Sequence, residues 1–209
     1  MIRKHLLIGF LTIGLSSCAS VSQVPDGSPS AESKDLYEAR VSILTDVEQW
    51  SMGGKLAISD GQDGGSGNLE WRRQSELSEL DFRGAFGRGA WQLDIRPGQS
   101  VLNFASGESW EAAEVTTLVR NHVGWEIPVD ALEWWIRGIA APDGKAVFAL
   151  DESGKLGRLE QYDWTVIYQR YRDFSGIEMP TRIEATNGER KVKFVVRQWK
   201  FPERAVHES

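Results

Sequence analysis

The sequence predicts a mostly β domain with some helix: an antiparallel, strongly curved sheet or partial barrel of ten or eleven short strands, covered by helices. Three observations lead there. After residue 50, apolar and polar residues alternate over most of the chain, with Gly, Pro or Asn-Gly turn signals at short intervals. The alternation breaks once, in the middle, for two stretches of helical spacing. Nine tryptophans are spread through the 209 residues, which calls for either a very bulky core or a cavity that large rigid side chains keep open.

From about Asp35 the spacing is helical. Leu36, Ala39, Ile43, Val47 and Trp50 recur every three or four residues, so one amphipathic helix is expected to end near Gln49. The period then becomes two. Met52, Gly54, Leu56 and Ile58 alternate with polar or small residues, and the Gly-rich stretch Asp60–Gly67 is expected to turn the chain. Leu69 and Trp71 follow, then Leu80 with Phe82, then Trp91, Leu93 and Ile95, then Leu102 with Phe104; Pro97-Gly98 and Ser106-Gly107 mark turns. The break comes at Glu114–His122, a helical stretch with Val115, Leu118 and Val119 on one side. Pro128 suits a first helical position, and Val129, Leu132, Trp135 and Ile136 follow at helical spacing up to Gly138. Strands are expected again at 146–150, 156–161, 164–171, 181–186 and 191–199, with Asn187-Gly188 as the two-residue turn of the last hairpin.

The N-terminus carries an address. Arg3, Lys4 and His5 precede a ten-residue apolar run, Leu6–Leu15, too short to span a bilayer, and Leu15-Ser16-Ser17-Cys18 closes it. This reads as a signal peptide over residues 1–17 ending in a lipobox. Cys18, the single cysteine of the chain, has no disulfide partner and is expected to carry the lipid. Residues 18–34 are rich in Ser and Pro and poor in large apolar groups, so they read as a lipidated N-terminus and tether. Residues 35–202 make one domain, and residues 203–209 a disordered tail.

Charge and chemistry exclude several function classes. The formal net charge is −6, and loss of the leader would remove Arg3 and Lys4 but no acid. Such a surface is repelled by nucleic-acid phosphates, so no nucleic-acid partner is expected. Of three histidines, His5 lies in the leader and His207 in the tail, leaving His122 without a nucleophile motif beside it; no catalysis is expected. Asp60 and Asp63 resemble the start of a calcium loop but lack its terminal Glu, so they read as a turn, and no metal or cofactor is expected. Composition alone leaves two uses for the tryptophans: filling a core or lining a cavity at the mouth of a curved sheet. Gly84-Ala85-Phe86-Gly87-Arg88-Gly89 sets one large aromatic among glycines between two strands, as an exposed tip suited to a bilayer interface would be.

Two segments carry a family resemblance. Ile127-Pro128-Val129-Asp130-Ala131-Leu132-Glu133-Trp134-Trp135-Ile136-Arg137-Gly138 is similar to the Ile-Pro…Leu…Trp…Gly helix of the LolB family of outer-membrane lipoprotein receptors. Pro180–Trp199, through Asn187-Gly188-Glu189-Arg190-Lys191-Val192-Lys193, is similar to that family's last hairpin, and the lipobox and order of elements agree. The resemblance implies an open, incomplete β-barrel with a helical lid over a hydrophobic cavity. It implies a monomeric receptor, anchored in the outer membrane and facing the periplasm. Such a receptor takes lipoproteins from a LolA-type periplasmic carrier by their acyl chains and releases them into the inner leaflet of the outer membrane. Ala19, rather than aspartate, after Cys18 agrees with that membrane. The lipid itself, diacylglycerol and an N-acyl chain on Cys18, is then covalent rather than a cofactor. The family's membrane-insertion tip falls on Phe86, although the family's loop has a proline and an aliphatic tip where this chain has Ala85 and Phe86. Strand alternation nominates Leu80, Phe82, Trp91, Leu93 and Phe104, with Trp135 and Ile136 of the lid, as the acyl-chain cavity. The competing class is a lipid-anchored structural or adhesive lipoprotein without cargo, which predicts a filled core.

Overall fold

A computed structural model describes residues 29–85 and 89–202. The leader, Cys18, most of the expected tether, Phe86 and the expected tail lie outside the described residues. Helix α1 (Ala31–Thr45) opens the fold, capped by Ser30, whose hydroxyl accepts from the Ser33 amide at 3.1 Å. Six strands follow: β1 (Gln49–Ser59), β2 (Gly64–Gln74), β3 (Leu77–Gly84), β4 (Trp91–Arg96), β5 (Gln99–Phe104) and β6 (Ser109–Ala112). Helices α2 (Val115–Val123) and α3 (Val129–Trp135) interrupt, and β7 (Val147–Leu150), β8 (Leu156–Gln161), β9 (Trp164–Phe174), β10 (Ile177–Asn187) and β11 (Arg190–Lys200) complete the chain.

All eleven strands form one antiparallel sheet in the order β6-β5-β4-β3-β2-β1-β11-β10-β9-β8-β7. The centre joins the first strand to the last, Ser51–Ser59 against Lys200–Lys191. A closed barrel would pair β6 with β7; here both are edges, so the barrel is open. One side of the sheet is mainly apolar, from Leu102 and Leu93 through Leu80, Trp71 and Leu56 to Phe194, Ile183 and Val166, all buried, with the polar side chains of Ser78, Ser100 and Gln161 buried among them. Helix α2 lies against β5 and β6, and α1 against β7.

Several boundaries differ from the sequence reading, each for a local reason. Helix α1 starts inside the expected tether and ends four residues earlier than expected, because Asp46 caps it by donating its amide to the Ser42 carbonyl. The expected apolar stripe is not the buried one. Leu36 and Ile43 are 44% and 50% exposed, while Tyr37 and Leu44, seven apart, are buried, and Trp50 belongs to β1. Two helical stripes were available in the same sequence, and the one carrying the larger aromatic won. Strand β6 has no period-two signal because it is an edge whose residues are mostly exposed. Of the Gly-rich stretch, only Asp60–Asp63 turns; Gly64–Gly67 lie in β2. Pro128 caps α3 instead of opening it. The last hairpin turns on Gly188-Glu189, one residue later than expected, since Asn187 still pairs with Arg190; Gly188, at φ 58°, leads the loop.

Candidate binding cavity

Several hairpin connections and the segment between α2 and α3 gather at one end of the sheet. There the turn Asp60–Asp63, the β8–β9 turn at Tyr162-Asp163 and the Gly188-Glu189 turn lie together with Gly84 and Trp91, the facing ends of β3 and β4. Gly124, in the left-handed region at φ 79°, ends α2 and throws Trp125, Glu126 and Ile127 across the sheet end. Between these pieces lies a half-open cavity of about 780 Å³. That is the size of a small-molecule site, for which about 300–1,000 Å³ is usual.

Its wall and rim differ in kind. Ile58, Trp125, Ile127, Trp164 and Val192 supply the apolar wall. Asp60, Asp63, Glu126, Glu189, Arg190 and Lys191 supply a charged rim. Glycine makes the room: Gly64 and Gly65 of β2 line the cavity, and a side chain at Gly65 would point at the Trp125 ring, 3.8 Å from the β-carbon position. Gly67 is glycine for a tighter reason, since a β-carbon there would sit 2.3 Å from the Arg83 carbonyl oxygen and 2.7 Å from Phe82 Cζ. Arg190 of the last hairpin forms an ion pair with Glu126 of the interhelical segment, tying one side of the mouth to the other. The Asp60 carboxylate is held below its ordinary range by accepting from the Asp63 and Gln62 amides; this is a turn, as the sequence suggested. Among the described residues no group of three or more His, Cys, Asp or Glu is placed to hold a metal. His122 is stacked on Trp110, with ring centroids 4.2 Å apart.

None of the seven residues nominated for the cavity lines this open volume. Leu80, Phe82, Trp91 and Leu93 do face inward and are buried, and Phe104 is half-buried. Phe82 and Trp91 stack on each other at 5.2 Å and stand directly behind the cavity wall, meeting Trp125 edge-on at 5.1 and 5.6 Å. Trp135 and Ile136 are packed under the lid, where Trp135 Nε1 donates to Gln161 Oε1 at 2.9 Å. The same Gln161 oxygen accepts from the Ala141 amide, and its Nε2 donates to the carbonyls of Ala141 and Asp143. A signal for the missed wall exists in the sequence. Gly124-Trp125 follows a helix, and glycines occupy alternate positions of a strand, at 65 and 67, where an inward or outward face loses its side chains. Phe86 lies outside the described residues, but the loop that carries it leaves Gly84 at the cavity end.

With fold and cavity in place, comparison with known proteins assigns the family. The family model "Outer membrane lipoprotein LolB" matches residues 48–199. The chain belongs to the LolB family. An outer-membrane lipoprotein LolB of Marinobacter nauticus is 34% identical over 95% of this chain and 98% of its own length. One from Pseudomonas fluorescens is 32% identical over 95% and 97%. Solved structures agree in fold at low identity. A putative outer membrane lipoprotein-sorting protein domain from Vibrio parahaemolyticus matches with a TM-score of 0.56 and 8% identity, over 81% of this chain and 92% of that one. A LolA superfamily protein from Nitrosomonas europaea matches at 0.51 and 12%, over 82% and 94%. The LolB-family chain thus shares its fold with these two proteins. No helix among the described residues is long and apolar enough to cross a membrane.

Proposed function

We propose that the protein is the outer-membrane receptor of a lipoprotein relay. It is anchored through acyl chains on Cys18 and faces the periplasm. It accepts lipoproteins from a LolA-type carrier by taking their acyl chains into the cavity, and it passes them to the inner leaflet of the outer membrane. The observation that carries this reading is a half-open cavity with an apolar wall and a charged rim, opening at the sheet end that bears the β3–β4 loop, in a chain of the LolB family. An amphiphile fits such a site: chains against Trp125 and Ile58, polar head at the rim. Leu80, Phe82, Trp91, Leu93, Phe104, Trp135 and Ile136 then form the second layer, reached when Trp125 moves aside, and Phe86 is the tip that enters the membrane.

The energetics favour a cavity that stays partly open. A 16-carbon chain buried completely is stabilised by on the order of 10 kcal/mol at about 0.8 kcal/mol per methylene. A site that enclosed several chains would hold them too tightly to release. Partial burial leaves the bilayer as the better solvent, so transfer runs downhill without nucleotide. The test mixes carrier loaded with a lipoprotein and the mature chain bearing Cys18→Ala, then adds liposomes. Cargo is expected to move to the receptor and on to liposomes, while Phe86→Glu accepts cargo and fails to deliver it. If the unsubstituted chain takes no cargo, the reading falls, and a structural or adhesive lipoprotein takes its place.

A further inference from the structure

The outer face of the sheet carries a row of like charges that the cavity does not use. Along one cross-strand line run Arg170, Arg182, Val195, Lys55, Asn68 and Arg83, each a direct Cα partner of the next across β9, β10, β11, β1, β2 and β3. All six are exposed. Four are cations and none is an acid. Arg170 and Arg182 stand directly opposite each other, an arrangement that is destabilising in a sheet. Among the described residues, Arg170, Arg182, Lys55, Arg83 and the neighbouring Arg197 make no salt bridge, in a chain whose formal charge is −6.

The acids of this face are occupied elsewhere. Glu184 is shared by Lys191 and Lys193 at 3.4 and 3.0 Å. Glu70, Glu79 and Asp81 gather around Arg72 on β2 and β3, and Glu178 pairs with Lys155. On β1, β11 and β10 the exposed cations are Lys55, Arg182, Lys191, Lys193, Arg197 and Lys200, against Glu184 between them and Glu178, which Lys155 already pairs. Along their strands Lys55 and Asn68 lie four residues, Arg182 and Val195 five, and Arg170 six residues back from the strand ends at the cavity-end hairpins, roughly 13–20 Å, whereas Arg83 lies one residue back.

We infer that this basic face seats the protein on anionic phospholipid headgroups. The geometry favours a lipid surface over a protein partner: Val195, 40% exposed, is the one large apolar side chain in the row, whereas protein interfaces have an apolar core. Dispersed Lys and Arg with nothing to pair them suit a layer of phosphates. Because the sheet is curved, a planar surface meets the central strands first, so Lys55, Arg182 and Arg197 carry the contact. Seated this way, the hairpin tips at the cavity end point along or into the leaflet, where cargo must go. This inference rests on the proposed work at a membrane surface.

The test uses the mature chain with Cys18→Ala and sedimentation with vesicles of phosphatidylcholine alone or mixed with phosphatidylglycerol. Binding is expected only to the anionic vesicles and is expected to fall with salt. Lys55→Gln, Arg182→Gln and Arg197→Gln should each weaken it about fivefold, and the triple variant should abolish it. Lys145→Gln, a charge removed from an exposed loop, should change it less than twofold, and circular dichroism checks that all variants fold. Equal binding by the triple variant, or no preference for anionic vesicles, overturns the inference. So does a triple variant that loses carrier binding while keeping vesicle binding, which makes the face a protein surface. Cargo acceptance from the carrier, measured without vesicles, reports on the receptor reading separately.

Discussion

The two ends of the sheet are made from the same strands, yet one is filled by stacked tryptophans, with a shallow hollow of about 250 Å³ beside Trp50 and Trp134, and the other holds the cavity of about 780 Å³. At the closed end Trp50 sits between Trp71 and Trp199, with ring centroids at 5.8 and 5.5 Å. The Arg137 guanidinium lies over Trp134 at 4.6 Å and Trp50 at 5.7 Å, and its Nη1 donates to the Leu44 carbonyl at 2.9 Å, tying α3 to α1. Arg73 of β2 reaches Glu133 of α3 at 3.0 Å. At the open end Trp125 leans over glycines and Trp164 lines the wall beside open space. The contrast is written within a single strand: β2 begins Gly64-Gly65-Ser66-Gly67 and continues Leu69-Glu70-Trp71. Side-chain volume along one strand thus sets where a curved sheet fills and where it stays open.

The largest test of that contrast removes one tryptophan from each end. Trp71, 1% exposed and donating its Nε1 to Ser78 Oγ at 2.7 Å, should cost about 3–5 kcal/mol on Trp71→Ala. Trp125→Ala should cost about 1 kcal/mol or less, because its ring already borders open space. Equal shifts in urea midpoints would mean that the two ends are packed alike.

Alkaline pH should loosen the closed side next. Burial holds the Tyr168 and Tyr171 phenols well above their ordinary value of 10.0. In the folded state they stay protonated, while the unfolded chain loses these protons above pH 10, so stability falls as pH rises through that point. Each contributes about 1.4 kcal/mol per pH unit. Arg137, lowered by burial to about 10, works in the opposite direction over the same window. The Tyr168→Phe chain should therefore show a shallower loss of stability between pH 10 and 11 than the unsubstituted chain; parallel curves would refute the assignment.

Smaller effects sharpen the open end. Gly65→Phe should change stability by about 1 kcal/mol or less while removing binding of a fluorescent acyl probe, since the new ring occupies the cavity beside Trp125. Retained probe binding would place the acyl site elsewhere. Glu126→Gln breaks the ion pair with Arg190 across the mouth, where both side chains are nearly half exposed. It should cost well under 1 kcal/mol and speed probe entry, read by stopped-flow fluorescence.

What the sequence disclosed divides along the same line. Strands with a buried face were legible, since burial imposes a period of two: β8 has the bounds expected for it, and the inward direction of Leu80, Phe82, Trp91 and Leu93 follows from alternation. Edge strand β6 buries little and left no pattern. The stripe of α1 is ambiguous in the sequence because Leu36–Ile43 and Tyr37–Leu44 are both helical in spacing, and only packing against the rest of the fold decides between them. The cavity was harder still. Alternation tells which side a residue faces, not whether space remains beyond it; that depends on Gly64, Gly65 and a tryptophan more than fifty residues away. Large inward aromatics mark the filled layer, whereas the opening lies where side chains are missing, at Gly64 and Gly65.

The central pairing of β1 with β11 has a consequence for how the chain comes to be folded. The two strands at the middle of the sheet are its first and its last to leave the ribosome, so β1–β6 and β7–β11 are separate meanders until the final hairpin arrives. A chain lacking its last twenty residues has two half-sheets with bare inner edges and no common core. Contacts of such long sequence separation are slow to form. An emerging chain is therefore held loose over most of its length and becomes cooperative only on completion.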